Sequence, residues 1–345
     1  MNLMSSELNI TIIGGGNLGH VTAGFLAARE NTSVSMLTRR PEAWADTLFI
    51  TDSDGQIIEG TLKKISSDPA EVIPGADIII QCLPGFAIRE SLQQIKPYLD
   101  RHSFVGCIFA STGFFFEALK LLPDNPLFGF QRVPFISRIT NYGHSAELRG
   151  YKEKLCLGVE QSSCKQKFAE IISQLFDTPV ELYSNYLEVS LSNSNPLLHP
   201  SRLYTMWKDW DGEPYPSNPE FYSEWTVEAS ELLIKMDNEF QHLLDFLPVR
   251  KGVIQPILQY YESHDATSLT QKLRSIPAFK GILSPMKQVE GGWVPDYSSR
   301  YFTEDFNYGL RYIVETAQAH SVSIPIITKV YKWRACSVEH FVKES

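Results

Sequence analysis

Through the first half of the chain, short and almost wholly apolar runs alternate with segments whose apolar residues recur every three or four positions. The runs "LNITII" (8–13), "SVSML" (33–37), "ADIIIQCL" (76–83), "SFVGCIFA" (103–110) and "PLFGFQRV" (126–133) read as strands. Helices fit "HVTAGFLAA", "AIRESLQQIKPYL" and "FFFEALKLL" between them, so the pattern is that of βαβ units feeding a parallel sheet. "FITDSDGQIIEGTL" has β-formers on both sides of "SDG", which predicts a small inserted hairpin.

After about residue 185 the strand-like runs disappear and long 3.6-period segments take over. In "NPEFYSEWTVEASELLIKMDNEFQHLLDFL", Trp225, Ala229, Leu232, Met236, Phe240, Leu243 and Leu247 recur at helical steps and predict one buried face. A further helix is expected at "TEDFNYGLRYIVETAQAH", with Thr303 as its cap, Glu304 and Asp305 in its first turn, and Phe306, Leu310, Ile313 and Ala317 as its apolar stripe. "WDGEPYPSNPE" (210–220) is a Pro-rich loop. The fold class is therefore α/β: a doubly wound parallel sheet over residues 1–185, followed by a mostly α-helical domain over 186–345.

At 345 residues, 43% hydrophobic and 21% charged, the chain is long enough for two cores. A net charge of -9, with no basic stretch longer than a pair, argues against nucleic acid as a partner. Cys82, Cys107, Cys156, Cys164 and Cys336 are odd in number, scattered and never in a CxxC pair, as expected of reduced thiols rather than disulfides or a zinc site. The eight histidines have no metal-ligand spacing, so no metal is expected. The N-terminal "MNLMSSELNITII" lacks a basic stretch leading into an apolar core, and no apolar run could span a bilayer. The expectation is a cytoplasmic protein without a membrane partner, its oligomeric state open and a homodimer one option.

"IIGGGNLGHVTAG" contains Gly14-x-Gly16-x-x-Gly19 directly after the first strand and at the opening of a helix. In that context Gly14 permits a tight turn, Gly16 lets a pyrophosphate approach the backbone, and Gly19 allows close helix–strand packing. The amides of Asn17 and Leu18 would face the phosphates at the helix N-terminus. These are the marks of a Rossmann dinucleotide-binding domain. Selectivity is read about 20 residues further on, where an acidic residue would bond the ribose 2'-hydroxyl of NAD. The chain has Thr38, Arg39 and Arg40 there and no carboxylate, so NADP(H) is the preferred cofactor, with NAD(H) still an option. "CLPGFAIRE" brings Leu83 and Pro84 to the carboxyl end of the next strand, where they should border the cofactor crevice.

In the helical half, "NPLLHPSRLY" (195–204) sets His199 between two prolines. Histidine exchanges protons near neutral pH, although in a helix it is also a common packing residue. "SSRYFTEDFNYGL" (298–310) offers Asp305, whose carboxylate could bond one ring nitrogen and fix the tautomer, and Arg300, which could clamp a substrate carboxylate. Spacing alone leaves open whether Asp305 only serves the helix dipole and whether Arg300 pairs with Glu304.

"IIGGGNLGHVTAG", "RVPFISRITNYGHSAELRGYKEKL", "NPLLHPSRL" and "RYFTEDFNYGL" together resemble the octopine/nopaline (opine) dehydrogenase family. The resemblance implies a Rossmann domain followed by a helical domain, with His199 and Asp305 as the catalytic pair and Arg300 in substrate binding. It also implies NAD(P)H-dependent condensation of a 2-oxo acid with an amino acid, the resulting imine being reduced by hydride. Two departures fall on the amino-acid half of the substrate: Ser137 in "VPFISRI" stands where family stretches carry cysteine, and "ASTGFFFE" lacks the glutamine of some members. Ser111, Thr112 and Ser137 are pocket candidates.

Two other readings stay open. Dehydrogenases of the ketopantoate reductase and 6-phosphogluconate dehydrogenase-like type use a lysine four residues before an asparagine. Here Asn193 and Asn195 are preceded at that distance by Val189 and Leu191, and 186–207 holds no lysine. A non-catalytic NADPH-binding sensor would keep the Rossmann fold and bind the cofactor without turnover, the presence of His199, Arg300 and Asp305 then being accidental.

Overall fold

A computed structural model describes residues 7–342, with side chains through Arg334. Residues 1–6, read above for a leader, and the side chains of Cys336 and His340 lie outside the described part. The chain divides into two compact units, one ending at Ser190 and one beginning at Leu191.

The first unit contains twelve strands among the described residues: β1 (Leu8–Ile13), β2 (Thr32–Leu37), β3 (Thr47–Thr51), β4 (Ile57–Thr61), β5 (Lys64–Ser66), β6 (Ile78–Gln81), β7 (Phe104–Cys107), β8 (Leu127–Phe130), β9 (Phe135–Asn141), β10 (Ser145–Tyr151), β11 (Leu155–Glu160) and β12 (Val180–Leu182). Its helices are α1 (Asn17–Ala27), α2 (Pro69–Val72), α3 (Gly85–Ile95), α4 (Phe114–Leu121), α5 (Lys165–Phe176) and α6 (Tyr186–Ser190). The main sheet has the order β12-β11-β8-β7-β6-β1-β2-β5, parallel from β5 to β8. The connections reverse direction between β1 and β6, which creates the switch point of a Rossmann sheet. The apolar runs read as strands are buried on both faces, as parallel strands covered by helices must be. β11 joins the sheet antiparallel to β8.

The inserted hairpin forms as expected, β3 against β4, with Asp52 Oδ1 accepting from the amides of Asp54 and Gln56 at its tip. It does not stand alone. It belongs to a second sheet, β4-β3-β10-β9, whose last two strands the pattern did not reveal. α1 is buried along Gly19–Leu26 because this second sheet covers its far side. Gly24 makes that possible: a Cβ there would lie 2.6 Å from Ile50, and the facing Gly60 would meet the Gly24 carbonyl at 2.1 Å.

The second unit is built from α7 (Asn195–Trp207), α8 (Val227–Leu244), α9 (Ile257–Tyr260), α10 (Ala266–Ser275), α11 (Arg300–Thr303), α12 (Arg311–Ala319) and α13 (Pro325–Val342). It also has a hairpin of β13 (Met286–Val289) and β14 (Gly292–Pro295), although no strand was expected after residue 185. Thr226 caps α8 by accepting from the Ala229 amide. On α8 the buried position is Leu233, not Leu232, because the face that turns inward follows Ala229, Leu233, Met236 and Phe240. The helical segment near 300 begins earlier than expected. Ser299 precedes α11, and the Thr303 hydroxyl donates back to the Ser299 carbonyl instead of capping. Asp305–Leu310 then forms a π-helix before α12, while Phe306, Leu310, Ile313 and Ala317 are buried as the stripe required.

Candidate functional site

In the first unit, the loop after β1 has the backbone shape a pyrophosphate needs. Gly14 has φ +111°, a left-handed conformation, and a Cβ there would strike the Cys82 carbonyl and the Leu83 side chain, both at 2.8 Å. A Cβ on Gly19 would lie 1.8 Å from the Gly14 carbonyl oxygen, so helix and loop touch through backbone alone. Gly16 differs from both: it is exposed and extended, and no atom lies within 4 Å of the place a Cβ would take. The first-turn amides of Asn17 and Leu18 lack intrahelical acceptors there, and no side chain caps the helix. Open space, unpaired donors and a helix N-terminus fit a dinucleotide phosphate. Leu83 and Pro84, at the turn into α3, lie beside this loop through the Leu83–Gly14 contact.

Thr38 is buried after β2, whereas Arg39 and Arg40 are exposed. The Arg40 guanidinium lies 4.3 Å from the centre of the Tyr142 ring. Burial pushes the Tyr142 phenol up, but the polar groups of Arg40, Trp44 and Thr38 around it outweigh burial and bring it below the usual tyrosine value. The turn carrying Tyr142 is fixed by His20, which is fully buried: Nδ1 donates to the Gly16 carbonyl at 3.0 Å, and Nε2 accepts from the Gly143 amide at 2.7 Å. Desolvation lowers the His20 pKa, so the ring is held neutral. Sequence reading found the glycines and arginines but missed His20, Trp44 and Tyr142. The quoted "NYGH" was the available signal, since Gly143 has φ +73° in a tight turn.

Of the pocket candidates in this unit, the Thr112 hydroxyl donates to the Phe109 carbonyl at 2.9 Å, and that of Ser111 to the Ser190 carbonyl at 3.2 Å. Ser137 lies on β9, opposite Leu148 of β10. The structure does not gather these three hydroxyls into one cluster by any direct bond between them.

In the second unit, His199 lies on α7, which has Pro196 at its start and Pro200 inside. The residue is 7% exposed. Its Nδ1 is 2.7 Å from Asp305 Oδ2, a bond between residues 106 apart in the chain. The π-helix can approach α7 closely because Gly309 faces Pro196, where a Cβ would come within 2.5 Å of the proline ring. Widened turns of this kind recur at functional sites because they redirect one side chain. Nε2 of His199 is 2.7 Å from the Tyr222 hydroxyl, and the Tyr301 ring lies 4.5 Å from the imidazole. Arg300, the first residue of α11, is exposed, and its charge acts on the neighbouring Tyr301 phenol. Neither tyrosine was singled out from the sequence. Tyr301 sat unremarked inside "RYFTED", and Tyr222 lies in an aromatic stretch with no chemical spacing.

The family model for the NAD/NADP octopine/nopaline dehydrogenase α-helical domain matches residues 182–336, and that for ketopantoate reductase PanE/ApbA matches residues 10–114. The chain is 30% identical to an opine dehydrogenase of Haliotis discus hannai, over 96% of this chain and 90% of that protein. It is 28% identical to the octopine dehydrogenase of Pecten maximus, over 94% and 89% respectively. A solved octopine dehydrogenase with NADH and L-arginine superposes with a TM-score of 0.85 at 27% identity, covering 96% of this chain and 90% of that one.

Proposed function

We propose, on the premise that the chain belongs to the octopine/nopaline (opine) dehydrogenase family, a residue-level account of its reaction. The protein is an NAD(P)-dependent oxidoreductase acting on a CH–NH bond, and it condenses a 2-oxo acid reductively with the amino group of an amino acid. In our reading His199 is the general acid and base, an effect typically worth about 10² to 10⁴ in rate. Asp305 accepts from Nδ1–H, fixes the tautomer and stabilises the imidazolium. Arg300 presents two parallel donors to a substrate carboxylate. Ser111, Thr112 and Ser137 contribute to the amino-acid half of the pocket.

The bound nicotinamide supplies hydride for the imine carbon. Its pyrophosphate would be held by Gly14, Gly16 and Gly19 with the amides of Asn17 and Leu18, beside Leu83 and Pro84. Thr38, Arg39 and Arg40 would surround the ribose, and the absence of a carboxylate among them supports a preference for NADPH over NADH. Arg40 rests on Tyr142, which holds its charge at that end of β2. No helix among the described residues is long and apolar enough to cross a membrane. The four described cysteines are free thiols, which supports a cytoplasmic setting.

The observation that carries this reading is the 2.7 Å bond between His199 and Asp305. The test is to follow NADPH and NADH oxidation over pairs of 2-oxo acids and amino acids, with the product weighed by mass spectrometry. A secondary-amine dicarboxylate or its analogue is expected only when both substrates are present. Consumption by the oxo acid alone, giving a hydroxy acid, would replace the proposal with a simple 2-hydroxy acid dehydrogenase.

A further inference from the structure

Both ring nitrogens of His199 are engaged within the helical unit. Asp305, as a carboxylate, can only accept, so Nδ1 carries the hydrogen of that 2.7 Å bond and Nε2 turns its lone pair to the Tyr222 O–H, also at 2.7 Å. An imidazole held this way has no nitrogen left for a substrate. Either the phenol moves aside or it passes the proton on.

The packing opposes movement. The Tyr222 ring stacks on Phe279 with centroids 4.0 Å apart and planes 17° apart. It lies parallel to Trp225 at 6.1 Å and meets Phe221 edge-on at 5.0 Å. The residue is 4% exposed, and rings packed on several sides do not swing freely. The half-buried Tyr301 ring lies against the same imidazole, with centroids 4.5 Å apart. Burial, with smaller contributions from Tyr301, Tyr261 and Asp305, holds the Tyr222 phenol far above the ordinary tyrosine value. It therefore stays protonated and neutral, as a donor to the Nε2 lone pair must.

We propose that Tyr222 relays protons between His199 Nε2 and the substrate, beside the half-buried Tyr301. The inference rests on the reductive-condensation reading above. When the carbinolamine loses water, its C–O bond breaks and the leaving oxygen takes the proton of the Tyr222 hydroxyl. The phenol is reprotonated by Nε2–H of the His199 imidazolium. The nitrogen lone pair forms the C=N bond, so one proton moves from imidazolium to water and no electrons are lost. Run backwards, the same relay withdraws the proton.

The test is Tyr222→Phe in the full chain, which keeps the ring stack and removes only the hydroxyl. We expect kcat to fall about 100-fold, within the range of general acid–base catalysis, with KM for both substrates changed less than threefold and the pH limb of kcat displaced. A kcat within twofold of the parent with an unmoved limb, or a faster enzyme, would overturn the relay and make the phenol a mere cover. If the variant does not fold by circular dichroism, a proton inventory of the parent kcat in mixtures of light and heavy water serves instead: a curved plot is expected, and a linear one would overturn the relay. His199→Ala, measured in parallel, separates the two claims. Parental turnover in it ends the histidine reading and the relay together, whereas an inactive His199→Ala beside a fully active Tyr222→Phe ends the relay alone. Nitrogen NMR of the His199 ring reads the contact without substrate: Tyr222→Phe should move the Nε2 resonance, and an unmoved one counts against the bond.

Discussion

The glycine loop of the first unit and the histidine cluster of the second achieve their geometry by opposite means. The loop is shaped by what is missing: Gly14, Gly16 and Gly19 lack side chains, and the backbone itself offers the donors. The cluster is shaped by side chains, with His199, Tyr222, Tyr301 and Asp305 brought from three stretches of chain to two 2.7 Å bonds and a ring contact. A binding site for a constant ligand can be written in six consecutive residues. A site that must move protons needs directed groups, and these come from wherever the helices pack.

The contrast yields separable losses. The largest is expected in the cluster: His199→Ala and Asp305→Asn should each lower kcat by about 10² to 10⁴, while NADPH affinity, read by fluorescence titration, stays within twofold of the parent. Loss of cofactor affinity in step with kcat would erase the distinction between the two regions. A smaller effect belongs to the loop's surroundings. The double variant Arg39→Ala, Arg40→Ala should raise KM for NADPH about tenfold, the worth of one charge-assisted hydrogen bond, and leave KM for NADH nearly unchanged. Equal changes for both cofactors would remove the 2'-phosphate argument.

The smallest effect concerns stability. His20 is buried and its pKa is lowered, so the unfolded chain takes up a proton near the ordinary histidine value before the folded one does. Folding stability is therefore full above that value and declines as pH falls from it toward the lowered one. His20→Asn should lose this increment of acid sensitivity in urea unfolding curves between pH 7.5 and roughly 5.5, a window set around the unperturbed histidine pKa of about 6.5. Parallel pH dependences for parent and variant would mean that His20 carries no such linkage.

What the sequence disclosed follows the same division. The parallel strands were visible because burial on both faces leaves continuous apolar runs such as "LNITII" and "ADIIIQCL". β9 and β10 were hidden because one side of each faces solvent, with Ile136, Arg138 and Tyr151 outward, and because β10 completes its sheet by pairing with β3, far earlier in the chain. Leu232 and Leu233 are adjacent and equally apolar, so only the packed helix chooses between them. Thr303 is a good cap by type, but Ser299 and the aromatic residues Tyr301 and Phe302 extend the helical segment before it. The histidine and aspartate were legible through their motifs and the family resemblance. Tyr222 was not, because a buried phenol looks in sequence like any other aromatic core residue.

The π-helix from Asp305 to Leu310 has a consequence for how this protein can vary. A widened turn accommodates one residue more than the regular spiral, and each residue removed rotates everything beyond it by about 100°. Deleting one position there would regularise the coil yet force a choice between aiming the carboxylate at its imidazole and keeping Phe306 and Leu310 inside. The segment can exchange letters but not change its length, so natural variation among working copies should spare its spacing more strictly than its composition.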